Sequence, residues 1–170
     1  MEERRTAMDR LTDPRCAGPM TDLLETLRSP VLLAATVAAG LQAGTYYVWA
    51  CGVMPGLART DDRTFTSSLN HMNVAIVNPV FMLTFLGAPA LAALAIVTTS
   101  GPARTWAIAG AALAVATVIV TGVGNIPLND ALAAGGSRAD FETLWVRWNV
   151  VRTLTSTAAL GCLSWAALRG

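Results

Sequence analysis

Lysine is absent from the 170-residue sequence, histidine occurs once, and charged residues of both signs make up only 14% of it. A soluble domain carries about a quarter charged residues, so this chain could not cover its surface in water. The cysteines Cys16, Cys51 and Cys162 are isolated, without a CxxC pair, which leaves zinc or thiol-redox chemistry with little support. A single histidine, His71, cannot supply bis-histidine haem ligation or a copper site of several imidazoles. No Gly-rich phosphate loop is present, which argues against a nucleotide cofactor. With a net charge of +1, nothing points to nucleic acid. No cofactor and no metal are expected on these grounds.

Charge is missing in blocks. No Asp, Glu, Lys or Arg occurs from Pro30 to Ala58, from Thr64 to Ala103 or from Thr105 to Asn129, and Arg152 stands alone between Trp148 and Leu168. A helix needs about 20 mostly apolar residues to cross the hydrocarbon layer, and each block supplies them. The reading is all-α: an integral membrane four-helix transmembrane bundle with spans near 31–53, 71–98, 104–124 and 147–168. That bundle occupies residues 30–170, and residues 1–29 form a polar, flexible tail. The tail has no apolar signal-peptide core near its start. With no carboxylate in any span, a di-iron carboxylate site is excluded, and so is the embedded acid of a proton-driven transporter.

An even number of spans puts both termini on one side of the membrane. Arginines on that side outnumber those on the other, which favours cytoplasmic termini. The all-arginine basic set, with abundant Ala and Gly, points to bacterial coding bias and so to a bacterial cell membrane. Gly40 and Gly44 form a GxxxG pair in span one, repeated in kind by Thr153, Thr157 and Gly161 in span four. Small residues four apart let backbones approach closely in lipid, within the bundle or in a homo-oligomer. Pro79 and Pro89 lie in span two, and a bend is expected at Pro79, with Asn78 available to freed backbone groups. Pro127 is expected to stop span three, and Met54-Pro55-Gly56-Leu57 to form a turn. Asp61 is a candidate N-cap for a short helix leading into span two.

The polar residues gather at the end away from the termini. Tyr46, Tyr47, Trp49, Asn70, His71, Asn73, Asn78, Asn125, Asn129, Trp145, Trp148, Asn149 and Arg152 all belong there. Trp145, Trp148, Asn149 and Arg152 follow helical spacing and share a face. An arginine inside a span is costly unless it reaches water or a partner. Taken alone, Arg152 could snorkel, with the tryptophans as belt aromatics. With asparagines at the same depth, a binding pocket open to the outer leaflet is the better reading. His71, alone at a membrane boundary, reads more as a surface or hydrogen-bonding residue than as a catalytic base.

The run Tyr46…Trp49…Val53-Met54-Pro55-Gly56-Leu57, then Asp61…Phe65…Asn73…Asn78-Pro79…Phe81, resembles the anthrone oxygenase-like family of small four-helix membrane proteins. Asn125-Ile126-Pro127-Leu128-Asn129 and Trp145…Trp148-Asn149…Arg152-Thr153 continue the likeness in order. The resemblance implies cofactor-independent oxidation of an anthrone-type or other aromatic substrate by oxygen. On it, Arg152 and Asn149 would stabilise an oxyanion. Asn73, Asn78, Asn125 and Asn129 would orient the substrate, and Trp145 and Trp148 would form a stacking wall. Relatives often carry a histidine where this chain has Val150, so His71 would have to act as base. Expected partners are membrane lipid and a hydrophobic aromatic small molecule. A non-catalytic membrane subunit binding a lipid, a quinone or a partner protein fits the same polar cluster, and the sequence leaves open whether the protein is an enzyme.

Overall fold

The computed structural model describes residues 18–169, and all regular structure in them is helical. Helix α1, Pro19–Val48, begins with its proline in the first turn, where the missing N–H has no intrahelical acceptor anyway. Residues 19–29, expected as tail, are therefore part of a helix; residues 1–17 of the expected tail, Cys16 among them, lie outside the described residues.

Helix α1 does not stop at Val48. A π-helical turn, Trp49–Val53, carries it into the four-residue helix α2, Met54–Leu57, so that one rod runs from Pro19 to Leu57. After helix α3, Asp62–Ile76, and helix α4, Pro79–Thr98, the same device recurs. Helix α5, Gly101–Val120, passes through a π turn, Thr121–Asn125, into α6, Ile126–Ala133. The last element is α7, Arg138–Leu168. The expected turn at Met54–Leu57 and the expected helix stop at Pro127 are thus both corrected. A proline ring collides with the carbonyl four residues back and offers that carbonyl no N–H. A π turn widens the helix there, and bonds run five residues back instead: Met54 N–H to Trp49 O and Ile126 N–H to Thr121 O. Pro55 and Pro127 each follow their π turn by two residues.

Five rods result, rather than four, because the expected span 71–98 is broken. Val77 leaves the helical region, with φ −79° and ψ 67°, and Asn78 serves both broken ends. Its Nδ2 donates to Ala75 O at 2.9 Å, and its Oδ1 accepts from Phe81 N–H at 3.0 Å. Where a bend was expected at Pro79, the proline instead opens a new helix. His71 and Asn73 therefore stand on α3, a separate amphipathic helix.

Three rods, Pro19–Leu57, Pro79–Thr98 and Gly101–Ala133, are long and apolar enough to cross a membrane. Helix α7 is long enough, at 31 residues, but Asn149, Arg152 and a run of Thr and Ser dilute its apolarity. Helix α1 packs against α4 and α7, and α5 packs against the same two. The start of α1 and the end of α7 lie together, where Arg28 and Leu32 share a groove with Ser164 and Leu168. The interior is built from alanine, with Ala35, Ala39, Ala92, Ala111 and Leu163 in one layer and Ala95, Ala107 and Ala166 in the next.

The tightest glycine contacts are not at the GxxxG pair. Gly44 faces open space, and a Cβ on Gly40 would meet only Leu160 at 3.7 Å. Gly161 is also open, whereas a Cβ on Gly110 would lie 2.8 Å from Leu163 Cγ. Spacing alone marks small residues without saying which face they serve.

At the far end, α3, α6 and the first turns of α7 form a cap around Met54, Phe65, Leu69, Leu132, Phe141 and Trp145. Arg138 ties it together. Its guanidinium donates to Thr60 O at 2.8 Å and Ala58 O at 3.0 Å, pairs with Glu142 at 2.7 Å and Asp62 at 3.2 Å, and covers the Phe65 ring. Asp61 caps α3 as expected, accepting from Arg63 N–H, Thr64 N–H and the Thr64 hydroxyl. The Thr64 bonds hold the Asp61 carboxyl below its usual range. A lowered folded-state value means that the cap stabilises fully above about pH 4 and is lost as pH falls through the folded value. Amide protection in the first turn of α3 is expected to fall in acid and to lose that dependence in Asp61→Asn. An acid profile shared by both proteins would reject the assignment.

Candidate functional site

A cavity of about 270 Å³ lies where the bundle meets the cap. One water needs only ~10–15 Å³ on this scale, so the space admits an organic molecule. Its wall draws on almost every element: Tyr46 and Trp49 from the first rod, Asn73, Ile76 and Val77 around the α3–α4 break, and Phe81, Met82 and Phe85 from α4. Thr121, Asn125, Ile126 and Asn129 come from the second π turn and α6, and Trp145 and Arg152 from α7. Both π turns thus feed the cavity, and the proline that widens each helix stands just beyond it.

On α7 the inward stripe is Trp145, Asn149, Arg152 and Ser156, all buried. Asn149 does not line the cavity; it fixes what does. Its Nδ2 donates to Tyr46 O at 3.1 Å, and its Oδ1 accepts from Arg152 Nη2 at 2.8 Å. The guanidinium is thereby held between two aromatic rings, 4.6 Å from the Tyr46 centroid and 5.1 Å from that of Trp145. Arg152 is only 7% exposed, and among the described residues both ion pairs belong to Arg138. A buried cation without a carboxylate is expensive to keep.

Trp145 is clamped from both ends. Its Nε1 donates to Asn129 Oδ1 at 2.8 Å, its backbone carbonyl accepts from Asn125 Nδ2 at 3.2 Å, and Trp49 packs 5.3 Å from it. Asn129 therefore positions the indole. Asn125, fully buried, keeps its Oδ1 without a hydrogen bond.

Of the residues expected at the site, the fold brings Asn73, Asn125, Asn129, Trp145 and Arg152 to the cavity, with Asn149 behind them. Three stand elsewhere. His71 is exposed on α3 and does not line the cavity, so it cannot serve there as base. Asn78 is occupied in capping the helix break. Trp148 sits at the edge of the α7 stripe and packs against the second π turn, where a Cβ on Gly124 would lie 2.5 Å from its ring. Trp145 stacks on Phe141, with ring centroids 6.1 Å apart, and Trp49 packs tilted against it from the first rod; the sequence assigns neither a role. Tyr46, which the sequence places at this end without a role, joins the wall as well; its spacing of three from Trp49 puts both on one helical face. Gln42, a turn deeper, was missed entirely; it donates to Thr84 Oγ1 at 3.1 Å. Among the described residues no three His, Cys, Asp or Glu side chains cluster. The wall offers a guanidinium, a phenol, amides and indoles.

A family model described as anthrone oxygenase matches residues 71–162, more than half of the chain. The match takes in Asn73, Asn125, Asn129, Trp145, Asn149 and Arg152 but ends short of Tyr46 and Trp49. No curated protein and no solved structure matches the chain.

Proposed function

This chain belongs to the anthrone oxygenase family, and from that membership and the cavity we propose that it oxidises a flat phenolic ketone, of anthrone type, within a membrane. The observation that carries this reading is the unpaired Arg152 guanidinium inside an aromatic wall. Loss of a proton from the methylene of an anthrone moves negative charge onto its oxygen. A fixed cation there lowers the cost of that loss, and preorganised donors at a developing oxyanion contribute about 100–1000-fold in rate. The electron-rich anion then reacts with oxygen: one oxygen atom is retained as the new carbonyl, and the other leaves as water. No imidazole lines the cavity, so the proton passes to solvent, and Arg152 supplies the driving force. No cofactor is required by this scheme.

Four crossings are part of the same proposal. Helix α7 is polar on its inward face but presents Val150, Val151, Leu154 and Trp165 outward. That outward side carries large apolar residues, as does that of α4, which exposes Val80, Leu83, Leu86 and Val97. The excess of arginine at the terminal end favours that end as cytoplasmic, which would put the cavity near the outer leaflet.

Detergent-purified protein incubated aerobically with an anthrone should form the quinone faster than the spontaneous background. A rate equal to background would remove the enzyme and leave a membrane subunit that binds a lipid or quinone.

A further inference from the structure

At the terminal end of the bundle, opposite the cap, the start of α1 and the end of α7 leave a groove of about 340 Å³ between them. Arg28, Ser29, Leu32 and Thr36 line it from α1, and Ser164 and Leu168 from α7. Arg28 is the last charged residue before the charge-free block that begins at Pro30, so it stands at the membrane boundary. Thr36 lies about two turns deeper. The groove therefore runs from headgroup level into the apolar layer.

Two of these residues carry a buried polar atom without a hydrogen-bond partner, Arg28 Nε and the Thr36 hydroxyl. Both depart from ordinary behaviour. An arginine at a membrane boundary extends to keep its charged head in water. Arg28 is instead half-buried, and neither ion pair among the described residues includes it. Thr26 and Thr45, on the same helix, donate to the carbonyl four residues back, which is the usual resort of a helical threonine. Thr36 does not. Unpartnered buried polar atoms call for a specific reason, and here two of them share one groove.

We propose that the groove seats a phospholipid of the leaflet at the terminal end. Its phosphate lies on the Arg28 guanidinium, its ester oxygens point inward toward Thr36, and its chains cover Leu33 and Leu168, which are 65% and 77% exposed. A guanidinium only donates, and its fork matches phosphate oxygens. A free phosphate ion would satisfy the outer level alone and leave the two leucines bare. A lipid has oxygens at both levels and chains below them. Seated there, it ties α1 to α7 on the side of the bundle away from the Arg138 clamp. The site is separate from the aromatic cavity and independent of the proposed function.

Native mass spectrometry of the full-length protein in neutral detergent reads the first bound lipid directly. The probes are phosphatidylglycerol, the diacylglycerol with the same chains, and glycerol phosphate, which has no chains. Phosphatidylglycerol should bind about tenfold more tightly than either of the others, the loss expected for a hydrogen bond to a charged group. Arg28→Gln should bring it down to the level of diacylglycerol. Arg104→Gln removes the same charge from an exposed position at the same end, where Ala107, one turn on, shares a layer with Leu32. That variant should stay within about twofold of the unsubstituted protein. Equal binding of phosphatidylglycerol and diacylglycerol overturns the proposal, as do equal losses in the two arginine variants. Glycerol phosphate binding as tightly as phosphatidylglycerol would assign the groove to a soluble anion and overturn it too. If Arg28→Gln does not fold, Ser164→Leu, which crowds the groove and keeps the charge, should weaken phosphatidylglycerol about tenfold; unchanged binding there overturns the proposal.

Discussion

Arg152→Met is expected to cut quinone formation about 100–1000-fold while leaving the melting temperature in detergent unchanged or raised. The two halves of that result come from the same physics. Removing a guanidinium that is 7% exposed and has no carboxylate removes a charge whose burial costs several kcal/mol. The replacement leaves Asn149 Oδ1 without the Arg152 Nη2 bond, a loss of about 1–3 kcal/mol. Methionine refills the slot between the Tyr46 and Trp145 rings with an apolar, polarisable chain. The terms nearly cancel or favour the variant. A residue that holds the fold together gives the opposite sign, so a clear drop in melting temperature with intact turnover would show Arg152 to be structural. Arg152→Lys keeps the charge but loses the planar stacking, and should recover only part of the rate.

Gly110→Val is expected to destabilise the bundle by about 1–3 kcal/mol. Even the first added carbon would lie 2.8 Å from Leu163 Cγ and 3.4 Å from the Ala159 backbone oxygen. Leu163 is fully buried in the alanine layer and has nowhere to withdraw, so α5 and α7 must separate. In lipid that is serious, because close packing between helices takes over much of the role that the hydrophobic effect has in water. Gly44→Ala makes the control. Its Cβ meets nothing within 4 Å, so the change should stay within about 0.5 kcal/mol. Thermal melts of the two variants in one detergent test this directly; a larger loss for Gly44→Ala would restore the GxxxG pair as the helix contact.

The contrast between these glycines shows where sequence reasoning stops. Gly40 and Gly44 carry the spacing associated with tight packing, yet Gly110, in an ordinary run of Ala and Gly, and Gly124, in the second π turn, are the ones set tightly against α7. A periodic pattern gives the face of a helix in its own frame; which neighbour that face meets depends on how the helix is rotated in the bundle. The broken span has a similar lesson. Pro79 marked a disturbance, but whether a proline bends, breaks or widens a helix depends on what satisfies the freed backbone. Asn78 at the break and the π turns before Pro55 and Pro127 are three answers to one local problem.

At the site, the inward face of α7 was readable, because Trp145, Asn149 and Arg152 follow helical spacing and a charge in an apolar run must be explained. The collection of asparagines at one end was readable for the same reason. Their individual roles were not. Asn149 and Asn129 prove to be braces, Asn78 a cap, and His71 a surface residue, while Tyr46 and Trp49 join the wall.

By itself the sequence determined an all-helical chain with apolar rods of membrane length, an arginine that needs a reason, and the end of the molecule where polar residues gather. These follow from composition and period, which are properties of each segment alone. Only the tertiary structure decided which polar atoms remain without partners. That is a balance over neighbours from several helices, and among the described residues it leaves Asn73, Asn125 and Arg152 around one space, with others such as Thr36 and Asn70 elsewhere.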